Sequence, residues 1–281
     1  MNNTACRLAC LCFLLITCVF GVTADAELIA YEDFNYAPGA SLSGLNGGSG
    51  FNSSWYFASG NANYTAASNS LSQPPLTTNG NRLRGGATTA NAWIRRDLPV
   101  SRNNPLGAAG STLYVSALMR PTGTNVNTGY SVLSLVPSGQ FGQVGREVAF
   151  GKPGNGNYSV AALGGIGRVY SNVAPQRNET VLLVLKAEFN ANAQGNDTFS
   201  LFVNPDSRLP EGPADAVKTD LNVGLLSYLA IRSTADFELD EIRLGTTFED
   251  VTPFTSIPEP GSGLLLMLLT AAVVIGRSRR K

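Results

Sequence analysis

The stretch Glu179–Asn204, ETVLLVLKAEFNANAQGNDTFSLFVN, decides the fold that the sequence predicts. Two apolar runs, Glu179–Asn190 and Asp197–Asn204, flank a short segment of alanine, asparagine, glutamine and glycine at 191–196. Runs of this length are typical of buried strands, and a short connection rich in Asn and Gly is typical of a hairpin. The stretch therefore predicts two antiparallel strands that are neighbours in a sheet.

The same pattern of short apolar runs continues on both sides of this hairpin. Ser111–Arg120 places Leu113, Val115, Ala117 and Met119 on one face of a strand. Further strands are predicted at Gly129–Val136, Arg146–Phe150, Asn157–Leu163, Leu226–Ser233 and Phe237–Gly245. Glycine and proline separate these runs, and no amphipathic run is long enough to predict a helix. Many short strands with turn signals about every ten residues predict an all-β sandwich.

One predicted strand, Phe237–Gly245 (FELDEIRLG), contains a change of parity. Phe237 and Leu239 share one face, whereas Ile242 and Leu244 fall on the opposite face of a regular strand. Because side chains alternate with period 2, both pairs reach one core only if a residue is inserted between them. The strand therefore predicts a β-bulge at Asp240-Glu241. A strand buried on both faces is the alternative.

The C-terminal segment, residues 257–281, has three parts in order. A Pro258-Glu259-Pro260 strip precedes the largely apolar segment 261–276, which would measure about 24 Å as a helix. This length is near the lower limit for a bilayer core of about 30 Å, so we predict one short transmembrane helix, with a buried core helix as the alternative. The basic tail 277–281, which resists translocation, contains Arg277, Arg279, Arg280 and Lys281.

The N-terminal segment, residues 1–26, predicts a secretion signal. Arg7 precedes the apolar run Leu8–Val22, and Ala24 and Ala26 supply the small residues that a signal peptidase requires. All four cysteines of the chain lie in this segment. The domain that follows, predicted at 27–256, therefore has no disulfide and depends on burial for its stability.

The tripartite C-terminus resembles the PEP-CTERM sorting signal of exported Gram-negative bacterial proteins. That resemblance implies that an exosortase, a membrane transpeptidase, recognises the tail and removes it at the cell envelope. Two prolines keep the strip extended, which suits binding in an enzyme cleft. Ile257 departs from the valine that is commoner before the first proline. A plain stalk before an ordinary membrane anchor is the alternative interpretation.

The domain between the two signals resembles the concanavalin A-like, LamG-like domains that PEP-CTERM proteins often carry. The likeness rests on Leu28–Trp55, beginning LIAYEDFNYAPGASLSGLNGGSGF, and on Asp240–Pro253, DEIRLGTTFEDVTP. It implies a jelly-roll sandwich in which the opening strand lies close to DEIRLG. These motifs are structural, so the resemblance implies a fold and no particular activity.

Composition excludes several classes of function. The chain has no histidine, which excludes Ser-His-Asp and Cys-His nucleophilic systems and histidine-bound metals. Outside the predicted leader and tail, 15 of the 20 basic and 18 of the 20 acidic residues remain, a net charge near −3 without a basic stripe. This balance argues against nucleic-acid binding.

A cluster of carboxylates at Glu238, Asp240 and Glu241 suggests a catalytic alternative. Concanavalin A-like glycoside hydrolases place three carboxylates at i, i+2 and i+4 of one strand, flanking the scissile bond. Glu238 and Asp240 fit that spacing, but position i+4 is Ile242. A carboxylate-dependent glycoside hydrolase or polysaccharide lyase is therefore kept as the alternative to a non-catalytic domain with no catalytic residues.

The hairpin connection offers oxygen ligands for a Ca²⁺ ion. Asn190, Asn192, Asn196 and Asp197 lie within eight residues of one another. The loop lacks the run of acidic ligands that calcium sites use, and Asn/Gly clusters are ordinary hairpin chemistry. We therefore predict no metal or other cofactor, with Ca²⁺ at this loop as the alternative.

Aromatic residues in the glycine-rich half suggest a glycan-binding surface. Trp55, Tyr56 and Trp93 are candidate contacts because the faces of sugar rings pack on flat aromatic rings. The alternative is that both tryptophans are core residues beneath loops. The sequence thus predicts an exported cell-surface or matrix protein, membrane-anchored before exosortase processing, whose sandwich binds extracellular polysaccharide or has a structural role.

Overall fold

The computed structural model describes residues 27–59, 63–86, 92–99, 105–190 and 195–254, which form a sandwich of two antiparallel sheets. The predicted leader with Ala24 and Ala26, the Pro258-Glu259-Pro260 strip, the segment 261–276 and the basic tail 277–281 lie outside these residues. Within them, no helix has the length and apolar character needed to cross a bilayer.

The described residues contain fifteen strands and one short helix. In chain order they are β1 Leu28–Glu32, β2 Tyr56–Ser59, β3 Thr65–Ala67, β4 Arg82–Gly85, β5 Ala92–Asp97, β6 Thr112–Pro121, β7 Ser131–Pro137, β8 Val148–Lys152, β9 Ser159–Ala162, β10 Ile166–Tyr170, β11 Val181–Glu188, β12 Asp197–Val203, β13 Ala216–Leu221, β14 Leu226–Ser233, β15 Phe237–Gly245 and α1 Phe248–Val251.

These strands form two sheets, which we call the back sheet and the front sheet. The back sheet has the order β13-β12-β11-β6-β15-β4-β3, and β1 also pairs with β15. The front sheet has the order β10-β9-β8-β7-β14-β5-β2. All pairings are antiparallel, and β1 lies against β15 as the family resemblance implied. The all-β sandwich is therefore confirmed.

Every strand predicted individually from the sequence is present. The hairpin that decided the fold is β11–β12, in register from Leu183 opposite Val203 to Glu188 opposite Thr198. Strands β2 to β5, β10 and β13 were not predicted one by one. They are short, and most lie in the glycine-rich half, where turn residues interrupt the alternation of apolar and polar side chains.

The main core lies between the sheets, and the outer face of the back sheet carries a second, smaller apolar cluster. Strand β6 contributes to both, because Leu113, Val115 and Ala117 face the main core while Tyr114 and Leu118 face outward. A loop and helix α1 cover the outer cluster. Its buried members are Leu71, Leu76, Tyr114, Leu118, Leu182, Val184, Phe202, Phe248 and Val251.

The predicted bulge in β15 is confirmed. Asp240 lies opposite Leu118 and Arg243 opposite Ser116, so three steps on β15 match two steps on β6. The extra residue is Glu241, whose φ of +53° places it in the left-handed region. The insertion returns the following side chains to the core, and Phe237, Leu239, Ile242 and Leu244 are all fully buried.

The bulge also marks a change of neighbour along β15. Residues Phe237 to Leu239 pair with β4, whereas Ile242 to Gly245 pair with β1. The strand therefore joins two different partners on one edge while it remains beside β6 on the other.

Candidate functional site

The outer face of the front sheet carries the candidate site. Strand β5 alternates across the sheet, so Ile94 is fully buried in the core whereas Trp93 and Arg95 face outward. On the neighbouring strand β14, Leu229 and Ile231 face the core, which places Tyr228 and Arg232 on the outer side. Four large outward-facing side chains thus meet on two adjacent strands.

These side chains form a stack of alternating rings and guanidinium groups with Phe141, which lies in the loop between β7 and β8. The Cζ of Arg232 lies 4.2 Å from the ring centroid of Trp93 and 4.6 Å from that of Phe141. The Cζ of Arg95 lies 4.2 Å from the Phe141 centroid and 4.3 Å from that of Tyr228. We call these five residues the aromatic–arginine stack, and cation–π attraction holds its members together.

A buried ion pair anchors the stack. Arg232 Nη2 donates to Glu147 Oε2 at 2.5 Å, and both side chains are inaccessible to solvent. The second oxygen of Glu147 accepts from the backbone N–H of Gly142. Burial raises the pKa of Glu147 and lowers that of Arg232, while their mutual attraction opposes both shifts. The pair therefore fixes the loop 138–147, which connects β7 to β8 and covers this part of the sheet, to strand β14.

A cavity of about 370 Å³ lies beside the stack, on β7 to β9 and beneath the loop 138–147. This volume lies within the range of about 300–1,000 Å³ that is usual for small-ligand sites. The loop closes the cavity by packing on the β9–β10 turn, where Gly145 N–H donates to Leu163 O at 2.9 Å. The lining residues are Trp93, Tyr130, Val132, Gly142, Val144, Ala149, Pro153, Ser159, Ala161, Ala162, Leu163, Gly164, Gly165 and Arg168.

The walls of this cavity are largely apolar, with a few polar groups. Small side chains of β8 and β9 form the floor, and Trp93 and Tyr130 supply aromatic surface. Two nitrogen donors, Trp93 Nε1 and Arg168 Nε, are buried and have no hydrogen-bond partner among the described residues. Ser159 adds a hydroxyl group. The hydroxyl of Ser159 and the guanidinium of Arg168 are thus the polar groups in the lining that suit a ligand rich in oxygen acceptors.

The structure separates the three aromatic residues that the sequence proposed as glycan contacts. Trp93 lines the cavity, and Tyr56 lies beside the stack with its ring centroid 4.8 Å from Arg95 Cζ. Trp55 is fully buried, and its Nε1 donates to Glu32 Oε2 at 2.8 Å. The prediction that Trp55 contacts a glycan is therefore wrong, and Trp55 is a core residue, as the alternative interpretation held.

Trp55 belongs to a second buried network at one end of the core. Arg96 Nη1 donates to Glu32 Oε2 at 2.6 Å, and Tyr36 donates to the same oxygen at 2.8 Å. Burial raises the pKa of Glu32 and lowers that of Arg96, although each stabilises the charge of the other. This network holds the segments around β1 and β5 together, and it is separate from the cavity.

The carboxylates of β15 do not form a catalytic constellation. Glu238 is nearly inaccessible and pairs with Arg82 at 2.9 Å, Arg84 at 3.3 Å and Arg120. These arginines hold the pKa of Glu238 below its usual value despite the opposing effect of burial. Position i+4 is occupied by Ile242, which faces the core. The arrangement that the glycosidase alternative requires is therefore absent from this strand.

The other two carboxylates of β15 hold loops over the outer face of the back sheet. Asp240 accepts from Ser70 Oγ at 2.5 Å and from Leu71 N–H at 2.7 Å, and burial raises its pKa to about 8. Glu241 accepts from Tyr31 Oη at 3.0 Å and from Arg243 Nη2 at 2.5 Å. Both groups have structural partners on each oxygen.

The calcium alternative at the hairpin is not supported by the contacts of Asp197. This side chain is buried, and it accepts from Asn190 N–H and from Val223 N–H, each at 2.8 Å. It thereby closes the hairpin through backbone donors. Asn192 lies outside the described residues, and among those that are described no group of three or more carboxylates could hold a metal ion.

Sequence reasoning missed most of the site. Phe141, Glu147, Arg168 and Arg232 were not singled out, because each is an isolated residue in its own segment. One signal was present in the sequence: the outward positions of LSYLAIRS carry Tyr228 and Arg232, and those of the adjacent AWIRRD carry Trp93 and Arg95. Cross-strand pairing of those two segments would have brought the four together.

No protein-family model and no curated protein sequence matches this chain. Solved structures of similar fold include an endo-β-1,4-glucuronan lyase from the fungus Trichoderma reesei, at 13% identity and a TM-score of 0.47, covering 81% of this chain and 99% of that chain. Another is an endo-1,3-β-glucanase from Streptomyces sioyaensis, at 12% identity and a TM-score of 0.49, covering 80% and 98%. Similarities this distant carry no argument about the chemistry of this chain.

Proposed function

We propose that this protein binds a saccharide in the cavity of the front sheet, as the non-catalytic binding domain of an exported protein. One observation carries the proposal: a cavity of saccharide size has a fixed aromatic wall, Trp93, and a charged polar group, Arg168, in its lining. Aromatic walls with a few oriented polar groups are the usual composition of small-ligand sites.

The fixed position of Trp93 supports this proposal. Its ring lies against Arg232, meets Phe141 edge-to-face at 5.9 Å, and has Gly142 beside it. A side chain larger than hydrogen at Gly142 would crowd the ring, since a Cβ there would lie 3.0 Å from Trp93 Cζ3. A ring held on several sides loses little conformational entropy when a ligand packs on it.

The chemistry of the cavity favours binding over hydrolysis. Glycosidases need two carboxylates on opposite sides of the scissile bond. The described residues that line the cavity include no carboxylate, and the nearby Glu147 has both oxygens occupied by Arg232 and Gly142. A glycoside hydrolase or polysaccharide lyase remains the alternative, and depolymerisation of a bound polysaccharide would establish it.

Replacing Trp93 by alanine is expected to weaken saccharide binding about thirty-fold, because truncation of an aromatic anchor typically costs about 2 kcal/mol. The purified full chain is screened on a glycan array, and the affinities of its ligands are then measured by titration calorimetry. The same mixtures are assayed for new reducing ends and unsaturated products.

The matched control for this experiment is Leu209→Ala. Leu209 is an exposed apolar residue in the loop after β12, and it does not line the cavity. Circular dichroism checks that both variants are folded. Unchanged affinity in folded Trp93→Ala, or the absence of any glycan ligand for the wild-type chain, would contradict the proposed function.

We also propose that the protein is exported and sorted by an exosortase-type system to the cell surface or matrix, with the membrane as its location before processing. The support is the sequence alone, namely the leader at 1–26 and the tripartite segment 257–281. An extracellular location would give a saccharide-binding cavity access to secreted polysaccharide.

Replacing Pro258-Glu259-Pro260 by three alanines is expected to leave the protein uncleaved in the inner-membrane fraction. The reason is that the prolines keep this strip extended for the processing enzyme. Cell fractionation and immunoblotting measure the outcome, with Ser262→Ala as the control within the adjacent segment. Normal release of the alanine variant would refute the sorting proposal.

A further inference from the structure

Arg168 has no anionic partner among the residues that the structure describes. Most arginines of the described chain contact carboxylates, among them Arg82, Arg84, Arg96, Arg120, Arg208, Arg232 and Arg243. Arg168, on edge strand β10, forms neither an ion pair nor a hydrogen bond with any residue that the structure describes, and its Nε is buried. Because Arg168 is partly exposed, the remaining donors of its guanidinium are available to an anionic ligand.

The surroundings of Arg168 hold its guanidinium at the cavity. It packs against Gly165, where an added Cβ would lie 2.7 Å from Arg168 Nη2, and its Cζ lies 5.9 Å from the ring centroid of Tyr170. Gly165 lines the same cavity as Arg168. The β9–β10 turn therefore supplies a surface without a side chain on which the guanidinium rests.

Two carboxylates on neighbouring segments already have partners. Asp220 lies next to Gly167 and pairs with Lys218 Nζ at 2.5 Å. Glu147 is paired with Arg232. Of the described residues that line the cavity, Arg168 is the one with a charged side chain. The wall of the cavity therefore carries a positive charge.

We infer that the saccharide bound in this cavity is acidic, with its anionic group paired to Arg168. This inference rests on the proposed function and specifies its ligand class. A guanidinium presents donors in a planar fork that matches a carboxylate or a sulfate oxygen pair. Trp93, across the cavity, provides the apolar surface against which the sugar ring packs.

The test compares saccharides that differ in charge. The full chain is titrated with short oligomers of glucuronate and of galacturonate, with the methyl ester of each, with sulfated oligoglucose and with neutral oligoglucose. At least one acidic oligomer is expected to bind about ten- to hundred-fold more tightly than its uncharged counterpart, as one charge-assisted contact implies. The tighter charged form identifies the anion as carboxylate or sulfate.

Arg168→Gln is expected to remove this preference while leaving the weaker binding of uncharged oligomers intact. Arg208→Gln makes the same change of net charge at an exposed arginine that contacts Asp206, and it is expected to retain the preference. Equal binding of charged and uncharged forms, or equal losses for both in Arg168→Gln, would overturn the inference and leave the proposed function standing. If no saccharide binds at all, both are overturned.

Discussion

Deleting Glu241 is expected to prevent the chain from folding. Glu241 is the inserted residue of the β15 bulge, and without it the strand returns to strict alternation. Every side chain on one side of the deletion then changes face. Either Ile242 and Leu244 leave the core or Phe237 and Leu239 do, and all four are fully buried.

The expected loss is comparable to the stability of a typical domain. Exposing two large apolar side chains costs about 3–6 kcal/mol, and the same change of face turns the charged Arg243 or Glu238 toward the core. Burial of an unpaired charge adds several kcal/mol more. Since domains are stable by about 5–15 kcal/mol, the deletion consumes most or all of that margin. It also breaks the register with β1 or with β4.

Circular dichroism and urea denaturation of the purified chain measure this outcome. Glu241→Gly is the matched control, because glycine adopts a φ of +53° without strain and keeps the inserted residue. It removes only the side-chain contacts with Tyr31, Asn79 and Arg243. A cooperative unfolding transition in the deletion variant, close to that of the wild-type chain, would show that β15 does not need the bulge.

The bulge was predictable because its signal is local. Nine consecutive residues contain two apolar pairs of opposite parity, and burial of both requires the insertion whatever the rest of the fold is. The long strands were predictable for the same reason. Leu183 and Val203 face each other across a hairpin whose two halves are adjacent in the sequence.

The site was not predictable because its members come from distant segments. Trp93 and Arg232 are separated by more than a hundred residues, and they meet only because β5 and β14 are neighbours in the front sheet. Phe141 and Glu147 lie in a glycine-rich loop. Its sequence has no periodicity from which the direction of their side chains can be deduced. Arg232, which is fully buried, also runs against the rule that charged residues remain at the surface.

Residue type alone is a misleading guide at two points in this sequence. Trp55 and Trp93 looked equivalent in the sequence, yet only Trp55 is enclosed by the core, where Phe34 stacks on it at 6.2 Å. The carboxylates of β15 are close together in the sequence and resemble a catalytic group. In the fold, Glu238 pairs with arginines on the neighbouring strands, whereas Asp240 and Glu241 hold two points of the β3–β4 loop through its backbone N–H groups.

Replacing Glu147 by alanine is expected to lower the free energy of unfolding by about 3–5 kcal/mol. The reason is that Arg232 would remain buried with no counter-charge, and breaking one partner of a buried pair costs about this amount. Gly142 N–H would lose its acceptor as well. Because Gly142 and Arg232 both contact Trp93, the variant is also expected to bind saccharide more weakly than the wild-type chain.

Urea denaturation of the full chain measures this loss, and two variants identify its cause. The double variant Glu147→Leu, Arg232→Met removes both charges at similar volume and is expected to recover most of the stability, since an apolar pair can replace a buried ion pair. Asp206→Ala breaks the exposed pair with Arg208 and is expected to change the midpoint little, because solvent screens such pairs. A double variant that is as unstable as Glu147→Ala would show that the charge left behind on Arg232 is not the cause. The loss would then come from the missing bond to Gly142, which both variants lack, and the covering loop would depend on that bond more than on the ion pair.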